Sequence, residues 1–180
     1  PSGDLMAYKI ADGRPAWVDS LGRSSGAPGS SLASLADPAR PVIDRGIVYA
    51  VGHSGRMIAA AAETGERLWT RNLKGTQMPW VAGDTVFVVD IAGNLMALSR
   101  ADGAVRWYTQ LPQQARWNGP VLAGGKLWLV SSKGLLVSVD AANGQIGAQT
   151  NLDTTVFIAP VVAGGRMYIL TDSARLVALD

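Results

Sequence analysis

Few side chains in this sequence could do chemistry, and their spacing does not bring them together. His53 is the only histidine. A general base or a metal site needs partners, and no spacing supplies them around it. His53 stands in the turn VGHSGR, where a surface loop residue is expected. Asp90, Asp140 and Asp172 fall at the ends of expected strands, and Asp12 and Asp102 in hairpin turns. Carboxylates in such places bond the amides of their own turn. The stretch GPVLAGGK (119–126) fails as a phosphate loop. Its second glycine comes one residue early, leucine follows the lysine, and its context is strand–turn–strand rather than strand–loop–helix. With no cysteine, there is no disulfide, thiolate metal site or cysteine nucleophile. The residues therefore point to no catalytic, cofactor or metal site.

What the sequence does carry is a refrain of about 40 residues. The segments GDLMAYKIADGRPAW (3–17), GRMIAAAAETGERLW (55–69) and GNLMALSRADGAVRW (93–107) share one pattern. GLLVSVDAANGQIGA (134–148) keeps it but has Ala148 in place of the tryptophan, and ARLVALD (174–180) begins a fifth copy. Ahead of each glycine lies a second half, led by Pro41, Pro79, Pro120 and Pro160 at intervals of 38, 41 and 40 residues. Only the step from Gly13 to Gly65, at 52 residues, breaks the period. Periodicity of this length marks a repeat architecture.

Each period reads as four short strands. In the third unit these are 79–82, 85–90, 94–99 and 104–110, separated by Gly83-Asp84, Ala92-Gly93 and Asp102-Gly103. The Asp-Gly, Thr-Gly and Asn-Gly turns suit a backbone that needs positive φ. Strands such as TVFVV and KLWLV are apolar on both faces, as happens when both faces of a sheet are covered. Proline at the first residue of an edge strand removes no ladder bond. Four-stranded units of this length with both faces buried predict an all-β fold, a β-propeller. No helix is expected apart from one turn near 31–35.

The expected organisation is a single partial propeller over 1–180. Residues 1–22 end one blade, 23–40 form an inter-blade insertion, 41–73, 78–111 and 119–152 are complete blades, and 159–180 is an incomplete one. This makes about 17 strands, or a little over four blades, against about six to eight in a closed ring of this kind. The chain is therefore expected to be a fragment, of a ring of eight, or else to close a ring with a second copy. Open end blades would favour such self-association.

Trp17, Trp69 and Trp107 share one repeat position, and the expected role is to wedge between adjacent blades. Trp80, Trp117 and Trp128 are off that register. Trp80 and Trp117 lie at blade starts, where each either joins the core or anchors a partner. The best candidate for binding is the insertion SLGRSSGAPGSSLASLADPARP (20–41), rich in Gly, Ser, Ala and Pro. Leu32 and Leu35 make one apolar face of a helical turn, followed by Asp37 and Arg40. Long loops on a regular scaffold either bind or are tolerated insertions.

Composition narrows the class. Apolar residues are 48% and charged residues 17%, which fits buried strands. The net charge of +2 comes from scattered single Lys and Arg, so a nucleic-acid partner is not expected. No apolar stretch approaches the length of a transmembrane helix.

The unit PVxxGGRxYxxxxxGxLxALDxxTGxxxW, carried here by the four prolines, the G-x-L starts and the glycine turns before tryptophan, resembles the PQQ-like β-propeller repeat. Within that superfamily the order of features resembles the C-terminal half of BamB-like outer-membrane assembly factors. The closer match rests on the Leu35-Ala36-Asp37 loop, on the short unit PWVAGDTVFVVDIAGNLMALSRADGAVRWYTQ and on NGQIGAQ (143–149), which lacks the tryptophan. The resemblance implies a scaffold of the outer-membrane β-barrel assembly (BAM) complex, with no cofactor. It would bind the POTRA domains of BamA and other BAM subunits, and help to fold unfolded outer-membrane proteins. It implies a place on the periplasmic face of the outer membrane, held by an N-terminal lipid. Asp37 matches an acidic residue of the BamA-contacting surface, with Leu32, Leu35 and Arg40 around it. The second acidic residue of that surface is replaced here by Pro38-Ala39-Arg40. Two readings of other classes stand beside it. One is a fragment of a PQQ-dependent quinoprotein dehydrogenase, whose vicinal cysteine pair and Ca²⁺ ligand cluster are not visible. The other is a propeller sensor or interaction domain of a larger protein.

Overall fold

A computed structural model describes residues 4–21, 39–53 and 55–180. These residues form 17 strands in five antiparallel sheets and no helix. The first blade is the pair β1 (Asp4–Tyr8) and β2 (Pro15–Ser20). The second holds β3 (Val42–Asp44), β4 (Ile47–Val51), β5 (Met57–Ala61) and β6 (Arg67–Arg71). The third holds β7 (Trp80–Ala82), β8 (Thr85–Val89), β9 (Asn94–Ser99) and β10 (Val105–Gln110). The fourth holds β11 (Trp117–Ala123), β12 (Lys126–Ser131), β13 (Leu135–Asp140) and β14 (Ile146–Asn151). The fifth has β15 (Val161–Ala163), β16 (Arg166–Leu170) and β17 (Leu176–Leu179). Within every sheet the strands lie in chain order, as hairpin connections dictate.

The first strands of successive blades touch: β3 meets β7, β7 meets β11 and β11 meets β15. They are therefore the inner strands, and the fourth strands are the outer ones. The middle strands are sealed on both faces, with β4 and β8 buried over four consecutive residues. The outer strand β10 alternates, with its polar face in solvent.

The core is not one mass but four slabs, one between each pair of neighbouring sheets. Leu21, Ala50, Ile58 and Ala60 fill the first, with Leu5 against them. Tyr49, Met57, Trp69, Val86, Val88 and Leu98 carry the second. Phe87, Leu95, Trp117, Leu127, Leu129 and Val137 carry the third. Val130, Leu136, Val156, Met167 and Ile169 carry the fourth. Each fully buried Val or Leu contributes about 1.5–3 kcal/mol of burial free energy, so every interface rests on its own slab.

The fourth blade departs from expectation at its start. β11 begins at Trp117, two residues ahead of the expected boundary, and Pro120 lies inside it rather than at its head. Proline has no N–H for the ladder, so the register slips between Asn118 and Val121. The Asn118 amide of this bulge donates to the carbonyls of Val130 (3.4 Å) and Val156 (3.1 Å), tying the fourth blade to the linker that follows it.

Candidate partner-binding surface

The insertion that the sequence marks for binding starts and ends on anchored residues. Leu21 is buried under Gly52, where an added Cβ would approach the Leu21 Cβ to 2.9 Å. Ala39 packs on the second slab of core. Arg40 is exposed just ahead of β3. Leu32, Leu35 and Asp37, with the helical turn expected at 31–35, lie outside the described residues.

The recurring tryptophans sit on outer strands and reach the next blade. Trp17 Nε1 donates to the Ala62 carbonyl (2.9 Å), Trp69 Nε1 to Arg100 (2.8 Å) and Trp107 Nε1 to Ala141 (3.2 Å). Each ring lies flat on the turn glycine of that blade. At Gly103, φ is +69° and an added Cβ would come within 2.8 Å of the Trp69 ring; Gly65 and Gly144 meet Trp17 and Trp107 in the same way. So this glycine has two reasons to be glycine, its φ and its flat neighbour.

Two further positions after the tryptophan, one in the strand and one just past its end, carry the repeat, and the refrain did not flag them. Two residues after the tryptophan, Arg71 Nε donates to the Gly103 carbonyl (2.6 Å) and Thr109 Oγ1 to that of Gly144 (2.5 Å). Four residues after it, the amides of Leu73 and Leu111 donate to Gly55 (3.1 Å) and Gly93 (2.9 Å). In the fourth blade Leu152, four after Ala148, does the same to Gly134 (2.9 Å). The period of 2 from the tryptophan is the signal that would have found them. In the first blade the position two on is Asp19, which pairs with Arg67 of β6 (Nε to Oδ2, 2.6 Å).

That pairing predicts a pH dependence. The Arg67 guanidinium holds the Asp19 carboxyl below its ordinary value of 3.8. A lowered folded pKa gives stability that is present above the unfolded value and is lost as pH falls through the folded one. Asp19→Asn should therefore be less stable than the parent at pH 7, and the gap should narrow in acid as the pH falls through the lowered folded value. Urea midpoints at pH 7 and in acid check this; a gap unchanged by acid would refute it.

A deeper tie crosses the second interface. The Arg100 guanidinium is buried and bonds the Asp44 carboxylate, the Asp44 carbonyl (2.7 Å) and the Gly83 carbonyl (3.2 Å). It also lies 5.9 Å from the Tyr49 ring centroid. The other off-register tryptophans are packing residues: Trp117 is 3% exposed in the third slab, and half-buried Trp80 packs against the same slab. Trp128 is half-buried and donates to the Ala123 carbonyl (3.4 Å). Of the two roles open to Trp117, core and partner anchor, its burial in the third slab is the core one.

The turn acids serve their turns. Asp90 Oδ1 accepts from the amides of Ala92 and Asn94, both at 2.8 Å. Asp140 does the same for Ala142 (2.8 Å). The Ala104 amide helps to hold the Asp102 carboxyl below its ordinary range. Among the described residues no three His, Cys, Asp or Glu side chains come together to hold a metal. His53 is exposed, on the wall of a cleft of about 630 Å³. This cleft lies on the rim where the linkers between blades pass the second turn of each blade.

The profile of one protein family, described as outer membrane protein assembly factor BamB, matches residues 1–109 and 110–180. The chain belongs to the BamB family. The BamB of Xanthomonas campestris is 28% identical over 157 residues, 87% of this chain and 38% of that protein. This BamB-family chain thus spans under half the length of that relative. The crystal structure of BamB from Moraxella catarrhalis superposes with a TM-score of 0.82 at 19% identity, over 98% of this chain and 51% of that one. A quinohemoprotein alcohol dehydrogenase from Comamonas testosteroni superposes with a TM-score of 0.64 at 16% identity, over 74% of this chain and 29% of that one. Both likenesses are of fold, the PQQ-like propeller.

Proposed function

We propose that this chain is part of a non-enzymatic scaffold subunit of the outer-membrane β-barrel assembly machinery. It binds the POTRA domains of BamA, works beside other subunits, and helps to fold and insert outer-membrane proteins. The full-length protein works on the periplasmic face of the outer membrane, held there by an N-terminal lipid. The observation that carries this reading is the match of the BamB profile across the whole chain. The fold is consistent with it. The recurring tryptophans and glycines are occupied with holding blades together and the turn acids with their own turns, which leaves loops and rims for partners.

The insertion 23–40 is the contact we assign to BamA, with Asp37 as its charged residue and Leu32, Leu35 and Arg40 beside it. The test is recovery of BamA on full-length protein carrying Asp37→Arg. Reversing a charge at a complementary interface places like charges together, and recovery should fall at least about tenfold. Undiminished recovery by a folded variant would remove Asp37 from the interface.

A further inference from the structure

The cleft of about 630 Å³ on the linker rim has no role in the reading above. Its size falls within the range of about 300–1,000 Å³ typical of small-ligand sites. Its lining mixes apolar surface with side chains that can donate: Arg116, His53, Thr76, Gln77 and Gln114. Arg116 is exposed and has no ion pair among the described residues. Asp90 is the acid in the lining, and its charge is already met by the amides of Ala92 and Asn94 and by Asn94 Nδ2 (2.8 Å).

The second observation is Trp117. Its ring is 3% exposed, and its buried Nε1 has no acceptor among the described residues. A buried N–H without a partner is rare and unfavourable. The Nε1 edge lies against Gly93, where an added Cβ would be 3.4 Å away, beside the turn residues Asp90, Ile91 and Ala92 that wall the cleft. The walls are also held in place. The Ser132 amide donates to the Arg116 carbonyl (2.7 Å), and the Ile91 amide to the Lys74 carbonyl (3.0 Å). A site whose donors are already positioned loses little entropy on binding. Half-exposed Ile91 adds an apolar surface next to these donors.

We propose that this cleft binds a carboxylate, either the C-terminal end of a peptide or a small organic acid. The Arg116 guanidinium bonds the carboxylate, and the Trp117 indole, which lines the same cleft, senses the added charge. The group bearing the carboxylate lies on Ile91. The inference stands apart from the Asp37 contact.

The test follows the indole N–H signals of the ¹⁵N-labelled full-length protein, with that of Trp117 assigned by Trp117→Phe and by its response to Arg116→Gln. The probes are the tripeptide Ac-Gly-Ala-Leu with a free carboxylate, its carboxamide, and benzoate. The free acid should move the Trp117 signal at saturation, and the carboxamide should not. Arg116→Gln should weaken binding about tenfold, the loss of one charge-assisted hydrogen bond. Unmoved Trp17, Trp69 and Trp107 signals show that this variant is folded. Response to the peptide alone assigns a peptide end, and equal response to benzoate assigns a small acid. An unmoved Trp117 signal with both acids, equal binding of the carboxamide, or full affinity in Arg116→Gln overturns the proposal.

Discussion

Trp69→Ala is expected to lower stability by about 4 kcal/mol, near the upper range for emptying an aromatic core site. Trp69 is 7% exposed, sits 5.9 Å from the Tyr49 ring and lies on Gly103 of the next blade. Alanine leaves a void between the second and third blades. It also strands the Arg100 carbonyl, which has the Trp69 Nε1 as its donor. The Arg100 side chain spans the same interface, so the loss would reach the Asp44 tie as well. Trp69→Phe is the milder change: a six-membered ring stays between the blades, the N–H and the pyrrole part of the indole go, and the loss should be roughly 1–2 kcal/mol. Urea unfolding followed by circular dichroism measures both. A loss under about 1 kcal/mol for Trp69→Ala would show that the tryptophan does not hold this interface.

Gly134→Ala is expected to cost about 3 kcal/mol, from backbone strain plus overpacking. Gly134 has φ +83°, and an added Cβ would fall on the Thr154 carbonyl oxygen in the linker between β14 and β15. Backbone cannot step aside as a side-chain tip can. The same glycine accepts the Leu152 amide at 2.9 Å, so moving the linker also breaks that bond. Gly124→Ala is the matched control. Its φ is +59°, yet nothing lies within 4 Å of the added Cβ, and strain alone should cost about 1 kcal/mol. Faster hydrogen exchange at Leu152 in Gly134→Ala, and not in Gly124→Ala, would locate the damage. Equal losses in the two variants would sink the argument from close approach.

These two sites show how much was legible in advance. The tryptophan and the turn glycine of the refrain are visible because they recur, and recurrence reflects a contact made once per blade. Gly134 is equally visible as a turn residue, but its clash with Thr154 is not, because the two residues meet only after the linker folds back. Arg100 looks like any turn-side cation in SRADG. Only the packing of the third blade on the second brings it to Asp44, 56 positions away in the chain. Trp117 was ambiguous for a related reason: whether a residue at a blade start is covered depends on how the neighbouring sheet seats on it. The cleft was not legible at all, since its lining comes from four separate loops.

The sequence by itself determined the blade: its four strands, its turns, its apolar faces and its membership of a repeat family. Those follow from local rules of period 2, glycine turns and a 40-residue refrain, each of which acts over a few neighbouring residues. The tertiary structure decided what lies between blades. The tryptophan bonds, the Arg100 tie, the buried Trp117 and the cleft on the linker rim all join residues of different blades. Their formation depends on how one sheet seats on the next, and no local rule carries that information.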